Sequence, residues 1–176
     1  MPTLELLCES VEISVRNQNW YSALAVALTL PDICASLESN DGNSSGDRYA
    51  RWFDENVGDR YKFHVGADRE PVTFLAGGDC YALRCTVLHQ GMFDISNQRA
   101  RRALTGFKFI VPPQGQQIHC NMFNDSLQLQ VDVFVIDIVE SVRAWRDRLR
   151  GTSLVEERLN NMAEISVLAP SQALDF

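Results

Sequence analysis

The chain contains no Gly-x-x-x-x-Gly-Lys-Ser/Thr phosphate loop, no His-Glu-x-x-His zinc helix and no Gly-x-Ser-x-Gly nucleophile elbow, which sets aside three common families of active site. It also lacks a basic excess. Its formal net charge is −7, whereas a protein that coats nucleic acid nonspecifically needs many phosphate contacts from Lys and Arg. The start, Met1-Pro2-Thr3-Leu4-Glu5, has no basic region followed by a long apolar run, and no stretch reads as long enough to span a bilayer. The expectation is a soluble, cytoplasmic protein with no membrane contact. Five cysteines, an odd number, read as buried or free thiols rather than a disulfide framework. Cys80 and Cys85 fall well apart around a helix, and His119 and Cys120 are neighbours in a strand-like run pointing to opposite faces. No metal and no cofactor are expected.

What is present is enough apolar material for one core: 45% of 176 residues, with no composition break, so residues 1–176 read as a single domain. Charge is unevenly placed. Between Arg84 and Ile110, five basic residues (Arg84, Arg99, Arg101, Arg102 and Lys108) face Asp94 alone. The first 46 residues set only Arg16 against Glu5, Glu9, Glu12, Asp32, Glu38 and Asp41. Such opposition favours self-association or an acidic partner.

Leu4, Leu7, Cys8, Val11 and Val15 recur at helical spacing, predicting a first amphipathic helix. A second begins after Asn19, a residue able to cap it, and should end or bend at Pro31, with a short third helix through Cys34 and Leu37. Residues 38–47 offer nothing to bury and several turn formers, predicting a mobile loop. Asp47 is placed to cap a helix carrying Tyr49, Trp52 and Phe53 inward, and residues 59–76 show no sustained period. Gly77-Gly78-Asp79 reads as a loop ending in an N-cap, followed by about three helical turns that stop near Gly91.

Phe107–Val111 and Ile118–Phe123 flank Pro112-Pro113-Gln114-Gly115 as two strands, and Leu127, Leu129 and Val131 alternate with polar residues as a third. A long helix from Val135 to Leu149, a weaker helical piece from Ser153 and a tail over about 164–176 complete the chain. The fold class expected is α+β: a mainly α-helical, bundle-like domain with a small antiparallel β insertion at about residues 105–131.

The chemistry-bearing stretch is Asp79-Cys80-Tyr81-Ala82-Leu83-Arg84-Cys85-Thr86-Val87-Leu88-His89-Gln90-Gly91. A guanidinium can steady the charge of a pentacoordinate phosphate, and an imidazole can pass protons near neutral pH. Five residues on a helix mean a rise of roughly 7.5 Å and a rotation near 140°, so Arg84 and His89 converge only if the arginine leans across a turn. In the last turn, exposed carbonyls favour a protonated ring, which suits His89 to be a general acid. The same two residues also read as a surface ion-pair partner and a hydrogen-bonded structural histidine. Arg99, Arg101 and Arg102 read equally as trackers of an RNA backbone and as a solvated segment. Asp32, Asp79 and Thr86 are candidates for orienting the pair.

Arg84-Cys85-Thr86-Val87-Leu88-His89 resembles the Arg-x4-6-His motif of the HEPN superfamily, and the phrases Leu30-Pro31-Asp32-Ile33-Cys34, Arg48-Tyr49-Ala50-Arg51-Trp52-Phe53 and Cys80-Tyr81-Ala82-Leu83-Arg84-Cys85 look like an uncharacterised bacterial protein family. The HEPN resemblance implies a helical bundle, a dimer-interface cleft and a metal-independent RNA endonuclease of a toxin or phage-defence system, with Arg84 and His89 catalytic. RNA, a second copy of the chain and a neutralising protein are the partners it implies. The alternative is a catalytically inactive helical binding module for a nucleotide, RNA or a protein partner. The chain departs from the family in having Cys85 where a polar residue commonly follows the arginine, and in its strand-rich segment.

Overall fold

The computed structural model describes residues 3–165. Among these residues six α-helices, α1 (Thr3–Arg16), α2 (Trp20–Glu38), α3 (Gly46–Asn56), α4 (Gly77–Gln90), α5 (Val131–Arg148) and α6 (Ser153–Asn160), surround one apolar core running from Leu4 to Leu159. The architecture is α+β, as the mixture of periods predicts. The expected tail has only Glu164 and Ile165 within the described residues; 166–176 lie outside them.

α2 is the central helix, packed against α1, α3, α4, α5 and α6. It does not end at Pro31. That residue is itself buried, together with Leu28, Leu30, Cys34 and Leu37, so packing on several sides offsets the missing N–H, which deprives the Ala27 carbonyl of its bond. The expected third helix is the second half of this one. Contrary to the sequence expectation, α2 is long and apolar enough to cross a membrane; half of that window, however, is buried against the other helices of the fold.

The core is aromatic where α3 meets α5: Trp52 and Trp145 lie edge to face at 6.2 Å, and Phe53, Tyr61 and Phe134 extend the cluster. The acidic face of α1 has a structural use. Arg143 of α5 reaches both Glu5 (2.9 Å from Nε) and Glu12 (2.6 Å from Nη1), clamping α1 to α5.

The strands differ from expectation in two ways. β3 (Gly106–Ile110), β4 (Asn121–Phe123) and β5 (Ser126–Gln130) form a sheet of order β3-β5-β4, in which β3 runs parallel to β5 and only β4 is antiparallel. Segment 111–120 is therefore a crossover that carries β4 to the far side of β5, and the tight hairpin is the one at Asn124-Asp125, with Asn124 at φ +49°. The insertion is a mixed sheet, not an antiparallel one. A separate hairpin, β1 (Lys62–Val65) with β2 (Glu70–Thr73), follows a 3₁₀ turn at Gly58–Tyr61 in the stretch that showed no period. All eight of its strand residues are exposed, so no alternation of burial marks it.

The 38–47 segment is tied down, although it contributes nothing to the core. Arg158 of α6 donates to the carbonyls of Ser36, Leu37, Ser39 and Asn40, Arg48 forms a forked pair with Asp41, and Ser44 bonds Asp32 at 2.9 Å. Ser45, rather than Asp47, caps α3 by accepting the Arg48 N–H.

Candidate functional site

α4 is placed by two glycines that belong to the helix itself. A Cβ at Gly77 would stand 2.0 Å from the Ala50 carbonyl oxygen, and one at Gly78 would stand 2.6 Å from that of Ala100. Only glycine lets α3 and the 99–104 loop approach α4 so closely. Asp79 is not the cap expected of it. Its buried carboxylate accepts the backbone N–H of Arg102 at 2.6 Å, with those of Ala103 and Leu104 at 3.3 and 3.4 Å, fastening that loop to the helix. Cys80, Ala82, Leu83 and Thr86 face the core, the Thr86 hydroxyl bonding back to Ala82 and Leu83; it touches neither Arg84 nor His89. Gly91, in the left-handed region at φ +67°, stops the helix just after His89.

Arg84 and His89 meet. Nη1 of Arg84 lies 3.2 Å from Nε2 of His89, and the imidazole is exposed. A guanidinium can only donate, so in this pair Nε2 of His89 is the acceptor. That lone pair is the one a base would use, so His89 can take a proton there only once Arg84 has turned to another acceptor, whereas the helix terminus had suggested an acid. On the other side, Nε of Arg84 lies 2.8 Å from Oδ2 of Asp32; the N–H does not point along that line, so the contact is an ion pair rather than a hydrogen bond. The two side chains are 24% and 19% exposed, and Oδ1 of Asp32 takes the Ser44 hydroxyl. Burial works against the Arg84 charge, but Asp32, followed by Cys85 and Tyr81, outweighs it and raises the guanidinium pKa above its ordinary value.

Two hollows lie along this face. The first, about 400 Å³, is lined by Asp32, Ile33, Ser36, Ser44, Ser45, Tyr81 and Arg84, and His89 stands beside its arginine. The second, about 520 Å³, lies between the start of α3 and the 99–102 loop, and shares Ser45 and Tyr81 with the first. Burial, then the Cys85 thiol, pushes the Tyr81 phenol pKa up. Arg99 and Arg102 line the second hollow. Arg101 does not: its Nε and Nη1 bond the carbonyls of Ser96 and Leu104 and brace the loop.

The remaining candidates are dispersed. Cys80 is buried against the Tyr49 hydroxyl at 3.5 Å, and burial pushes its pKa up to about 12. His64 is exposed on β1, and His119 accepts the Gln130 N–H through Nδ1 at 3.2 Å. Among the described residues, no three His, Cys, Asp or Glu side chains converge as a metal site would require. The residues missed from sequence are Ser44, Gly46 and Tyr81; the first two sit in a polar stretch that looked inert, and Tyr81 carries its signal only in being one turn before Arg84.

Comparison with protein-family models, curated proteins and solved structures gives no match.

Proposed function

We propose that the protein is a metal-independent RNA endonuclease of the HEPN type, working as a cytoplasmic homodimer in bacterial defence or as a toxin with a neutralising protein partner. The observation that supports this best is the 3.2 Å approach of Arg84 to His89 at the open end of α4. In the reaction, the 2′-oxygen of RNA bonds to the adjacent phosphorus while the P–O5′ bond breaks. The products are a 2′,3′-cyclic phosphate and a 5′-hydroxyl. Arg84 turns from His89 to steady the nonbridging oxygens, and the Nε2 so freed takes the 2′ proton. The 2′- and 5′-oxygens stand on opposite sides of the phosphorus, so one imidazole cannot serve both; a two-fold mate supplies a second, protonated ring for the leaving oxygen.

Purified protein incubated with mixed RNAs in EDTA should cut them, leave cyclic phosphate ends and spare DNA. His89→Ala and Arg84→Ala should both abolish cutting. Equal cutting by all three proteins would assign the activity to a contaminant.

The Asp32–Arg84 ion pair favours a second reading, an inactive module that binds RNA, a nucleotide or a protein, because it offsets the charge a phosphate would meet. RNA bound without being cut, and bound more weakly by Arg84→Ala, would decide for it.

A further inference from the structure

We infer that the hollow beyond Tyr81 is a second nucleotide subsite, which holds an unpaired RNA residue next to the one at Arg84, with Arg102 and Arg99 as its phosphate ligands and Tyr81 as the partition between the two. The inference rests on the RNA reading of the Arg84–His89 site. Charge is the first reason. In the first hollow Arg84 is matched by Asp32, so that compartment is close to neutral and cannot by itself attract a polyanion. In the second, the lining sets Arg99 and Arg102 against Asp47, the nearby Asp79 carboxylate is buried and taken up by the loop's backbone N–H groups, and among the described residues neither arginine has a salt bridge or a side-chain hydrogen bond. The positive charge that a strand needs is therefore one compartment away from the candidate catalytic pair.

Shape is the second reason. Gly46, Ala50, Gly78 and Ala100 form much of the lining and leave the hollow unfilled. The loop bearing Arg102 is fixed by the Asp79 carboxylate at one point and by Arg101 at another, while the Arg102 side chain is free to take an anion. A held backbone that presents an unpaired guanidinium is a prepared site, because the loop itself needs no ordering on binding.

Spacing decides that the strand is unpaired. Gly78 in the second hollow and Arg84 in the first are six residues apart on α4, about 9 Å along its axis. A stacked strand advances about 3.4 Å per nucleotide, so it would thread two or three nucleotides through an interval that Tyr81 interrupts. An unstacked strand bridges it by placing successive nucleotides on either side of the ring, which is how proteins commonly reach single-stranded RNA. Tyr81 stands against the Gly46 backbone: a Cβ there would come within 2.7 Å of its ring and displace it.

The test uses a fluorescein-labelled 2′-O-methyl RNA 12-mer, which lacks the attacking hydroxyl and cannot be cut, read by anisotropy across a salt series, alongside cleavage of the unmodified 12-mer. Arg102→Ala and Arg99→Ala should each weaken binding about tenfold and lower the slope of log K against log salt by about 0.7, as for one lost phosphate contact on a single strand. The annealed duplex should bind at least about tenfold more weakly than the single strand, and Gly46→Ala, which displaces Tyr81, should raise KM. If the wild type cuts RNA and both arginine variants keep its affinity and salt slope, the subsite is wrong and the nuclease reading stands. If the wild type cuts nothing but binds the probe through Arg102, the nuclease reading falls and the subsite stands. Binding that is absent, or indifferent to both arginines in a protein that does not cut, overturns both. The two arginines are exposed in side chain or held through backbone alone, so an unchanged melting temperature is expected and excludes misfolding.

Discussion

Asp32 and Arg84, one on α2 and one on α4, stand 2.8 Å apart, and the same carboxylate takes the Ser44 hydroxyl from the segment between α2 and α3. One acid thus ties three parts of the chain together at the guanidinium. Asp32→Ala should leave Arg84 charged but mobile. If Arg84 steadies a reacting phosphate, kcat should fall about tenfold or more with a smaller change in KM, since misplacing a group by about 1 Å costs rate. Single-turnover cleavage measures it, and an unchanged kcat would show that the ion pair is not needed for positioning.

Asp79→Ala should destabilise the fold by about 2–4 kcal/mol, because three backbone N–H groups lose a buried carboxylate acceptor. Urea denaturation gives the magnitude. Hydrogen exchange gives the place: the amides of Arg102, Ala103 and Leu104 should lose protection, while those of β5 keep theirs.

Gly77→Ala and Gly46→Ala separate rigid from yielding neighbours. At Gly77 the added methyl meets the Ala50 backbone at 2.0 Å, so α3 and α4 must part and about 2–3 kcal/mol is lost. At Gly46 it meets the outer edge of the Tyr81 ring at 2.7 Å, which can swing aside. A drop in melting temperature at least as large for Gly46→Ala as for Gly77→Ala would contradict that distinction.

Stability should rise with pH through the range below about 6.5. Burial lowers the His119 pKa from the ordinary 6.5, against the opposing pull of Asp137 and Asp132. The folded protein therefore binds fewer protons at this position than the unfolded chain, and stability is lost as pH falls through 6.5 toward the depressed folded value. Protonation would also remove the lone pair that accepts the Gln130 N–H. Glu12 adds to the same trend at lower pH: the Arg143 hydrogen bond depresses its carboxyl below the ordinary 4.5, so its contribution is present above that value and lost on acidification. Chemical denaturation from pH 7.5 to 5.5 should show the first slope in the wild type and not in His119→Asn.

The helices were legible because their apolar residues repeat at a period set by backbone geometry alone; α1 from Leu4 to Val15 and α5 from Val135 to Leu149 carry their cores in one dimension. Pro31 misled because its local cost is outweighed by neighbours supplied from elsewhere in the chain. Gly77 and Gly78 misled for a related reason: in sequence they look like a flexible joint, and in space they are where other backbone must pass. The sheet order could not be read, since strand patterns show which residues alternate but not which strands pair. Of the site, Arg84 and His89 were legible as residue types at an offset. Asp32 was one of several candidates until the fold brought it across from α2, and Tyr81, Ser44 and Gly46 carry no type-specific mark.

Arg158 gathers four main-chain oxygens at the end of α2 and the turn beyond it. The last helix thereby acts as a splint for the strip that also carries Ser44 toward Asp32. A protein shortened before Ser153 would expose those oxygens to water and loosen one bank of the groove, although α6 itself contributes no side chain to either hollow.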